Sequence, residues 1–259
     1  MNIVVLVKQV PDSGAERTLR ESDHTVDREV ADNVINEMDD YAIEEALRLQ
    51  EAHGGEVTVM TMGPQRAAES IRKALSMGPD KAVHIRDDAL AGSCALATSA
   101  VLAAALRDLN PDLVLCGAEA TDGRVQAVPH MLSERLGIAA LTGARKLTVD
   151  GSTLTVERQT DEGYEVVVAQ TPAVVSVWDT INEPRYPSFK GIMAAKKKPV
   201  TELSLADLGI EPSEVGAAGA SSAVVDHRGR PPRSAGQKIT DEGDGGAKLV
   251  EFLASEKFV

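Results

Sequence analysis

The sequence predicts an α/β protein whose core is a doubly wound parallel sheet covered by helices on both faces. Short, continuous apolar runs, typical of strands buried on both faces, recur along the first two thirds of the chain. Longer segments with helical spacing of their apolar residues alternate with these runs. The resulting βαβαβαβα order requires right-handed crossovers between parallel strands, which is the arrangement of a doubly wound sheet.

Each element is delimited by residues that start or stop regular structure. An apolar run at residues 3–7 opens the sheet, and a helix over residues 38–53 stops at Gly54-Gly55. Gly63-Pro64 opens the next helix, which runs to about Met77. The remaining predicted elements are strands at residues 56–62, 81–85 and 112–116, a helix at residues 92–109, and a helix that ends near Gly137.

The loop at residues 117–131, GAEATDGRVQAVPHM, is the most informative connection. Ligands of open α/β sheets bind outside the carboxyl ends of the strands, here segments 7–13, 62–65 and 117–130. We expect Gln126 to Pro129 to form the first turn of the following helix, where exposed backbone N–H groups favour an anion. The loop can equally be a plain connection in which Asp122 caps the helix. Neither G-x-G-x-x-G nor the P-loop motif is present.

The carboxyl-terminal part of the chain is rich in strand signals from Leu147 onwards. Asp150-Gly151, between two segments of alternating residues, predicts a hairpin. Residues 164–169 and 173–177 continue the strand pattern, and after Trp178 the periodicity is lost.

An extended carboxyl-terminal arm is predicted beyond this point. Residues 211–246 contain too much Gly, Ala, Ser and Pro to pack alone. Residues 247–258 form a predicted amphipathic helix. The apolar side of that helix consists of Leu249, Val250, Phe252 and Leu253. We expect this arm to pack on another surface, and the alternative is a disordered terminus.

Composition excludes several classes of function. The 259 residues carry a formal net charge of −13, from 27 Lys and Arg against 40 Asp and Glu, so the field of the protein repels nucleic acid and anionic lipid. No apolar run approaches the roughly 20 residues that span a bilayer. The amino terminus lacks the features of a signal peptide, which predicts a cytoplasmic protein without direct membrane insertion.

Side-chain catalysis has no support in the sequence. The five histidines have no metal-ligand spacing, and no nucleophile-elbow motif is present. We expect Cys94, in an apolar helix, and Cys116, at the end of an apolar strand, to be small core residues. The basic run at residues 196–198 is expected to lie on a solvated face. The protein is therefore predicted not to be an enzyme.

Two segments together resemble the beta subunit of the electron-transfer flavoproteins. Residues 156–176, VERQTDEGYEVVVAQTPAVVS, resemble a family signature in which a basic residue, an acidic cluster with Gly and a Glu precede a Pro and an apolar strand. Residues 182–198, NEPRYPSFKGIMAAKKK, resemble the recognition loop of that family. Supporting matches are Val7-Lys8-Gln9-Val10-Pro11-Asp12, Ile35-Asn36, Glu44-Glu45-Ala46 and Met62-Gly63-Pro64. The resemblance extends to about Gly209.

The resemblance implies a Rossmann-like domain of the adenine-nucleotide-binding type in a heterodimer with an alpha subunit. In that family the alpha subunit holds most of the FAD, at the interface, and the beta subunit binds AMP. Carried over residue by residue, the AMP site consists of Leu6, Asn36, Glu37, Met38, Asp39, Met62, Ala120, Thr121, Asp122, Gly123, Arg124, Val125, Gln126, Ala127, Val128, Pro129, His130 and Met131. The phosphate would lie on backbone amides of residues 123–128, with Gln126 and Asp122 as polar contacts. Pro129 lacks one amide donor that several relatives have.

The recognition loop implies docking of flavin dehydrogenases, such as the acyl-CoA dehydrogenases of fatty acid β-oxidation, with electrons passed on to a membrane quinone oxidoreductase. The residues carried over for partner recognition are Glu183, Pro184, Arg185, Tyr186, Phe189, Ile192 and Met193. Phe189 stands where the family commonly inserts a leucine into a pocket of the dehydrogenase; the alternative is a Phe folded onto its own domain. The expected organisation is a nucleotide-binding domain with the hairpin at residues 1–190. Residues 191–259 would then form the end of the recognition loop and the arm on the partner subunit.

Two alternatives stay open on the sequence. A relative of the flavin-bifurcating or nitrogen-fixation-associated type would hold a second FAD in place of AMP. A nucleotide-binding regulatory protein of the universal-stress type would share the α/β core, although the segments after Leu147 argue against it.

Overall fold

The structure, a computed structural model, describes residues 1–29, 32–233, 236 and 238–259. These residues form two compact units, Met1–Val225 and Asp226–Val259. The strands of the first unit are β1 (Asn2–Leu6), β2 (Gln9–Pro11), β3 (Asn33–Ile35), β4 (Glu56–Met62), β5 (Lys81–Ile85), β6 (Leu113–Gly117), β7 (Ala139–Asp150), β8 (Thr153–Thr160), β9 (Gly163–Gln170), β10 (Ala173–Val177) and β11 (Val200–Leu203). Its helices are α1 (Glu37–His53), α2 (Ala68–Met77), α3 (Ala95–Leu109), α4 (Val128–Leu136) and α5 (Phe189–Ala195). The second unit contains α6 (Gly245–Ser255).

The main sheet has the strand order β11-β5-β4-β1-β6-β10-β7-β8-β9. Pairing is parallel from β11 to β7 and antiparallel between β7, β8 and β9. The predicted fold class is confirmed, and so is the hairpin, in which Asp150 lies opposite Thr153. The strands β2 and β3 pair with each other outside this sheet, next to the carboxyl end of β1.

Apolar side chains cover both faces of the sheet, as the continuous runs in the sequence predict. In β1, Ile3 and Val5 belong to the core cluster formed with α1 and α2, whereas Val4 and Leu6 belong to the cluster formed with α3 and α4. Successive side chains of a strand point to opposite faces, so one short strand serves both cores.

The sheet has its topological switch point between β1 and β6. The chain passes from β1 to β4 and β5 on one side, and then returns to β6 on the other side of β1. Connections that leave in opposite directions open a crevice at the carboxyl ends of the two strands, where ligands of such sheets bind.

Two predicted helix starts are wrong, and backbone conformation explains both. The third helix begins at Ala95 rather than residue 92, because Gly92 has φ +86°, which a right-handed helix does not allow. Cys94 is therefore the N-cap residue and not part of an apolar helix. The fourth helix begins at Val128, because Gln126 lies in the left-handed region with φ +56°.

The chain after Trp178 contains more regular structure than its sequence indicates. Here α5 packs against α2, and β11 pairs in parallel with β5 at the edge of the sheet. Both elements are short, and so few residues do not show a recognisable helical or strand periodicity in the sequence. Within the segment 211–246, Val215 is buried in the core, while Ser234, Ala235 and Gln237 lie outside the described residues.

The short helix predicted near the carboxyl terminus is confirmed as α6, in which Leu249, Val250 and Phe252 are exposed. Over the described residues, we find no helix with the length and apolar character needed to cross a membrane.

Candidate functional site

Asn36 lies at the switch point and connects three parts of the fold. Its Nδ2 donates to Oδ1 of Asp39 at 3.0 Å and to the carbonyl oxygen of Glu119 at 2.9 Å. Its Oδ1 accepts the backbone N–H of Thr121 at 3.0 Å, and its own N–H donates to the carbonyl oxygen of Lys8 at 2.9 Å. A single buried amide thus joins the end of β1, the start of α1 and the loop after β6.

Asp39, in the first turn of α1, joins the ends of β1 and β6 directly. Its Oδ2 accepts the N–H of Lys8 at 2.7 Å, and its Oδ1 accepts the N–H of Gly117 at 3.2 Å. Burial raises the pKa of Asp39 to about 7, despite the hydrogen bonds that favour the carboxylate. The approach is so close that a Cβ on Gly117 would lie 2.5 Å from Cβ of Met38. Only glycine fits here.

The loop at residues 117–127, called the nucleotide loop from here on, presents a series of free backbone donors. Arg124 and Gln126 are left-handed, with φ +49° and +56°, and Ala127 follows in the right-handed region at φ −93°. Consecutive residues of opposite hand form a concave nest of N–H groups that accommodates an anion. The N–H groups of residues 123 and 125–128 have no acceptor among the described residues.

Three basic side chains hold the centre of the nucleotide loop. The carboxylate of Asp122 is fully buried and accepts from Nζ of Lys8 at 2.9 Å and from the guanidinium of Arg28. Burial acts to raise the pKa of Asp122, but Lys8 and Arg28 hold it below its ordinary value. Nη1 of Arg17 donates to the carbonyl oxygen of Thr121 at 2.6 Å. Asp122 does not cap the helix.

Two polar atoms beside the nucleotide loop are buried without a partner, Oγ1 of Thr121 and Nη1 of Arg28. A buried polar group without a hydrogen bond is costly, so two unpaired atoms beside the same loop suit a site whose ligand supplies their partners. Both atoms carry a proton to donate, and the nest beside them also consists of donors. The set as a whole fits an anionic, acceptor-rich group such as a phosphate.

A second surface is formed by the segment 182–198, called the projecting segment from here on. Its first residues are fixed on α1, because Nε and Nη2 of Arg185 donate to the carboxylate of Glu44 at 2.7 and 3.1 Å. Nη1 of the same guanidinium donates to Glu51 at 2.6 Å. Asn182 donates to α1 as well.

Beyond this anchor the projecting segment exposes a group of large apolar side chains. Tyr186 is 95% exposed and Phe189 81%, while Ile192 and Met193 are 46% and 49% exposed. Tyr186 lies before α5 and the other three lie on it, and four such side chains close together in sequence are typical of a protein-binding surface. Phe189 is not folded onto its own domain.

Comparisons with known proteins agree with this geometry. A family model described as "Electron transfer flavoprotein domain" matches residues 23–208. The chain is 51% identical to "Electron transfer flavoprotein subunit beta" of Mycobacterium tuberculosis and 52% identical to that of Mycobacterium leprae, in each case over 100% of this chain and 99% of the relative. The chain belongs to the electron transfer flavoprotein family. It is a beta subunit.

More distant members of the family also match. Identity is 36% to the beta subunit of Megasphaera elsdenii, over the full length of both chains. It is also 36% to "Caffeyl-CoA reductase-Etf complex subunit CarD" of Acetobacterium woodii, over 93% of this chain and 92% of that one. Beta subunits of this family transfer electrons and are not enzymes, and they work with an alpha subunit. The family assignment replaces the alternative of a universal-stress-type regulator.

The structure brings the predicted nucleotide-site residues of this beta subunit to one edge of the sheet. Several of them, however, bind other parts of the chain: Glu37 accepts from Oγ of Ser13 at 2.6 Å, Gln126 donates to Glu119 at 2.6 Å, and Nε2 of His130 lies 3.2 Å from Oγ1 of Thr142. Leu6 and Pro129 are buried; Met38, Met62, Ala120, Ala127, Val128 and Met131 are partly buried; Gly123, Arg124 and Val125 are exposed.

Sequence reasoning missed the basic side chains of Lys8, Arg17 and Arg28 as parts of the site. Lys8 follows β1 directly, and this position at a strand's carboxyl end is a signal that could have selected it. Arg17 and Arg28 lie in a polar segment without periodicity, so only the tertiary fold shows their contacts with Thr121 and Asp122.

The two cysteines differ from each other more than predicted. Cys116 is a core residue, and burial raises the pKa of its thiol. Cys94 is partly exposed, and the N–H groups of Ala97 and Ser221 lower the pKa of its thiol. Within the ranges that the structure describes, no group of His, Cys, Asp and Glu could hold a metal ion.

Proposed function

We propose that this beta subunit forms a heterodimer with an electron-transfer flavoprotein alpha subunit in the cytoplasm. The heterodimer takes electrons from flavin dehydrogenases, such as acyl-CoA dehydrogenases, and passes them to a membrane quinone oxidoreductase. Membership of the family and the exposed apolar group on the projecting segment support this proposal. The exposed side of α6, with Leu249, Val250 and Phe252, is a second apolar surface that suits the alpha subunit.

The nucleotide loop is proposed to bind AMP. The observation that carries this proposal is the cluster of unpaired donors, in which a nest of backbone N–H groups lies beside the buried hydroxyl of Thr121 and the guanidinium of Arg28. The phosphate is proposed to take these donors. Asp122 acts here by fixing Lys8 and Arg28, since its own carboxylate would repel a phosphate.

FAD is proposed to be held mainly by the alpha subunit, at the interface of the heterodimer. The chain has no G-x-G-x-x-G motif for a dinucleotide. The flavin supplies the chemistry of accepting and donating electrons, and the beta subunit contributes position and electrostatic environment. The similarity to the Acetobacterium woodii complex subunit favours one second candidate, a relative in which FAD occupies the nucleotide loop instead of AMP.

Replacing Thr121 by Val tests the nucleotide proposal without disturbing the fold. Val keeps the shape of Thr, and the hydroxyl has no partner to lose in the protein alone. If that hydroxyl donates to the phosphate, AMP affinity falls about tenfold, as expected for one lost hydrogen bond of about 1.4 kcal/mol. Titration of the nucleotide-stripped heterodimer with AMP, by calorimetry, measures the change.

Thr58→Val is the matched control. Oγ1 of Thr58 is also buried and unpaired, but Thr58 lies within β4, away from the nucleotide loop. We expect unchanged AMP affinity for this variant and a melting temperature at or above that of the wild type for both variants. Equal AMP affinities for Thr121→Val and the wild type would contradict the assignment of the phosphate.

A further inference from the structure

We infer that Arg185 is a positioning residue, which holds the projecting segment in the shape that partners bind and does not itself contact them. The inference rests on the proposed docking of dehydrogenases at this segment. It reassigns one residue that the family resemblance places among the partner contacts. Three observations support it. The Arg185 guanidinium is fixed at one end of the segment, the Lys198 ammonium is fixed at the other end, and the backbone in the middle of the segment lies close against α2.

The guanidinium of Arg185 has its hydrogen-bonding capacity directed toward its own domain. Two of its nitrogens bind the Glu44 carboxylate side by side, the third binds Glu51, and the backbone N–H of Arg185 donates to Glu44 at 3.2 Å. Glu44 is only 4% exposed. Burial acts to raise the pKa of Glu44, yet hydrogen bonds from Arg185 and Arg48 hold it below the ordinary value, so the pair is ionised.

The other end of the projecting segment is fixed on α2. Nζ of Lys198 donates to the carbonyl oxygens of Leu75 and Gly78 at 3.0 and 2.7 Å, which are free acceptors at the end of that helix. The prediction that residues 196–198 form a solvated basic face is therefore wrong for Lys198. Lys196 and Lys197 do lie in solvent.

Between the two anchors the backbone is pressed against α2. A Cβ on Gly191 would lie 2.5 Å from the carbonyl oxygen of Ser76, so glycine allows this close approach. The N–H of Gly191 donates to Oγ of Ser188 at 3.0 Å, which caps the short α5. The segment is thus held at both ends and in the middle, while its apolar side chains point outward.

Fixing the segment in advance raises its affinity for a partner. If only a fraction of the molecules has the shape that binds, the apparent affinity is the intrinsic affinity multiplied by that fraction. A loop that must become ordered on docking also loses binding free energy to its lost conformational entropy. Without the Arg185 guanidinium, the hydrogen bonds that still join the first half of the segment to α1, among the described residues, are those of the Asn182 side chain and of the backbone N–H at position 185. We expect the competent fraction to fall to about one tenth.

Arg185→Gln in the heterodimer tests this inference, with an acyl-CoA dehydrogenase of the source organism, reduced by its acyl-CoA, as the electron donor. We expect the Michaelis constant for the heterodimer to rise about tenfold with kcat unchanged at saturation. Hydrogen exchange at residues 186–193 is expected to become faster. Arg185→Lys keeps the charge but not the paired geometry, so it should restore part of the affinity.

Arg48→Gln is the matched control, because Nε of Arg48 also donates to Glu44, at 3.0 Å, but has no hydrogen bond to the projecting segment among the described residues. It should leave both the Michaelis constant and the exchange rates unchanged. An unchanged Michaelis constant for Arg185→Gln, together with a raised one for Phe189→Ala, overturns the positioning role alone. If neither variant changes the Michaelis constant, docking at this segment is itself wrong, and the inference fails with it.

Discussion

Phe189→Ala should weaken docking of the cognate dehydrogenase by roughly thirty-fold without changing the stability of the heterodimer. An apolar side chain that fills a partner's pocket typically contributes about 2 kcal/mol or more to binding when it is truncated to Ala, and that loss corresponds to roughly thirty-fold in affinity. Phe189 is 81% exposed, so its truncation leaves no cavity in this chain. Dehydrogenase-coupled kinetics at limiting concentration measure the loss, and thermal unfolding measures the stability.

Leu96→Ala is the control for this prediction. Leu96 is also exposed, at 45%, but lies on α3, outside both the projecting segment and the carboxyl-terminal arm. It should leave the dehydrogenase kinetics unchanged. A core Phe behaves in the opposite way, because Phe→Ala in a core costs about 3–5 kcal/mol. A large drop in melting temperature for Phe189→Ala, with unchanged kinetics, would show that its side chain is structural.

Asp39→Ala should destabilise the protein by about 3 kcal/mol or more. The substitution leaves the N–H groups of Lys8 and Gly117 and the side-chain amide of Asn36 without their acceptor, and each buried, unsatisfied donor costs about 1–3 kcal/mol. Denaturant unfolding of the beta subunit measures the effect. The exposed Asp108 of α3 provides the control, since Asp108→Ala should change stability by no more than about 0.5 kcal/mol. Equal stabilities of the two variants would rule out a structural role for Asp39.

The raised pKa of Asp39 also predicts how stability depends on pH. The pKa is about 7 in the folded protein against an ordinary value of 3.8, so between these values the folded state binds a proton that the unfolded state does not. The contribution of this group to the free energy of unfolding therefore falls as pH rises through that window and is constant above it.

Asp39→Asn removes the titration while keeping the size of the side chain. Between about pH 5 and about pH 8, the wild type should lose more stability than this variant does, because only the wild type gives up a proton there. Denaturant unfolding at both pH values gives the comparison. Identical pH slopes for wild type and variant would show that Asp39 is ionised across the whole range.

The strands β1, β4, β5, β6 and β10 could be predicted from the sequence to within a residue, because burial on both faces leaves an apolar run such as that of β6. The strand β11 and the first half of β7 were not predicted. The location of the nucleotide loop followed from topology, since it comes after the strand that reverses the winding of the sheet. The conformation of the loop could not be predicted in the same way. The left-handed backbone of Gln126 leaves no sign in the sequence, which instead predicts a helix at this residue.

Contacts between residues far apart in the chain were also beyond sequence reasoning. Arg185 was placed among partner contacts because its segment resembles a recognition loop, while its ion pair with Glu44 spans 141 positions and exists only in the fold. The same holds for Arg28 and Asp122, which are 94 positions apart. Periodicity reports which face of an element is buried, and it does not report which charged groups meet.

The most direct test of the proposed function is the count of cofactors in the heterodimer. The beta subunit is co-expressed with the alpha subunit of the same organism, the complex is purified and its absorbance spectrum recorded, and the nucleotides released by denaturation are separated by chromatography. We expect one FAD and one AMP per heterodimer, because the nucleotide loop offers its unpaired donors to a phosphate while the chain has no dinucleotide motif. Two FAD and no AMP per heterodimer would contradict this assignment of the site.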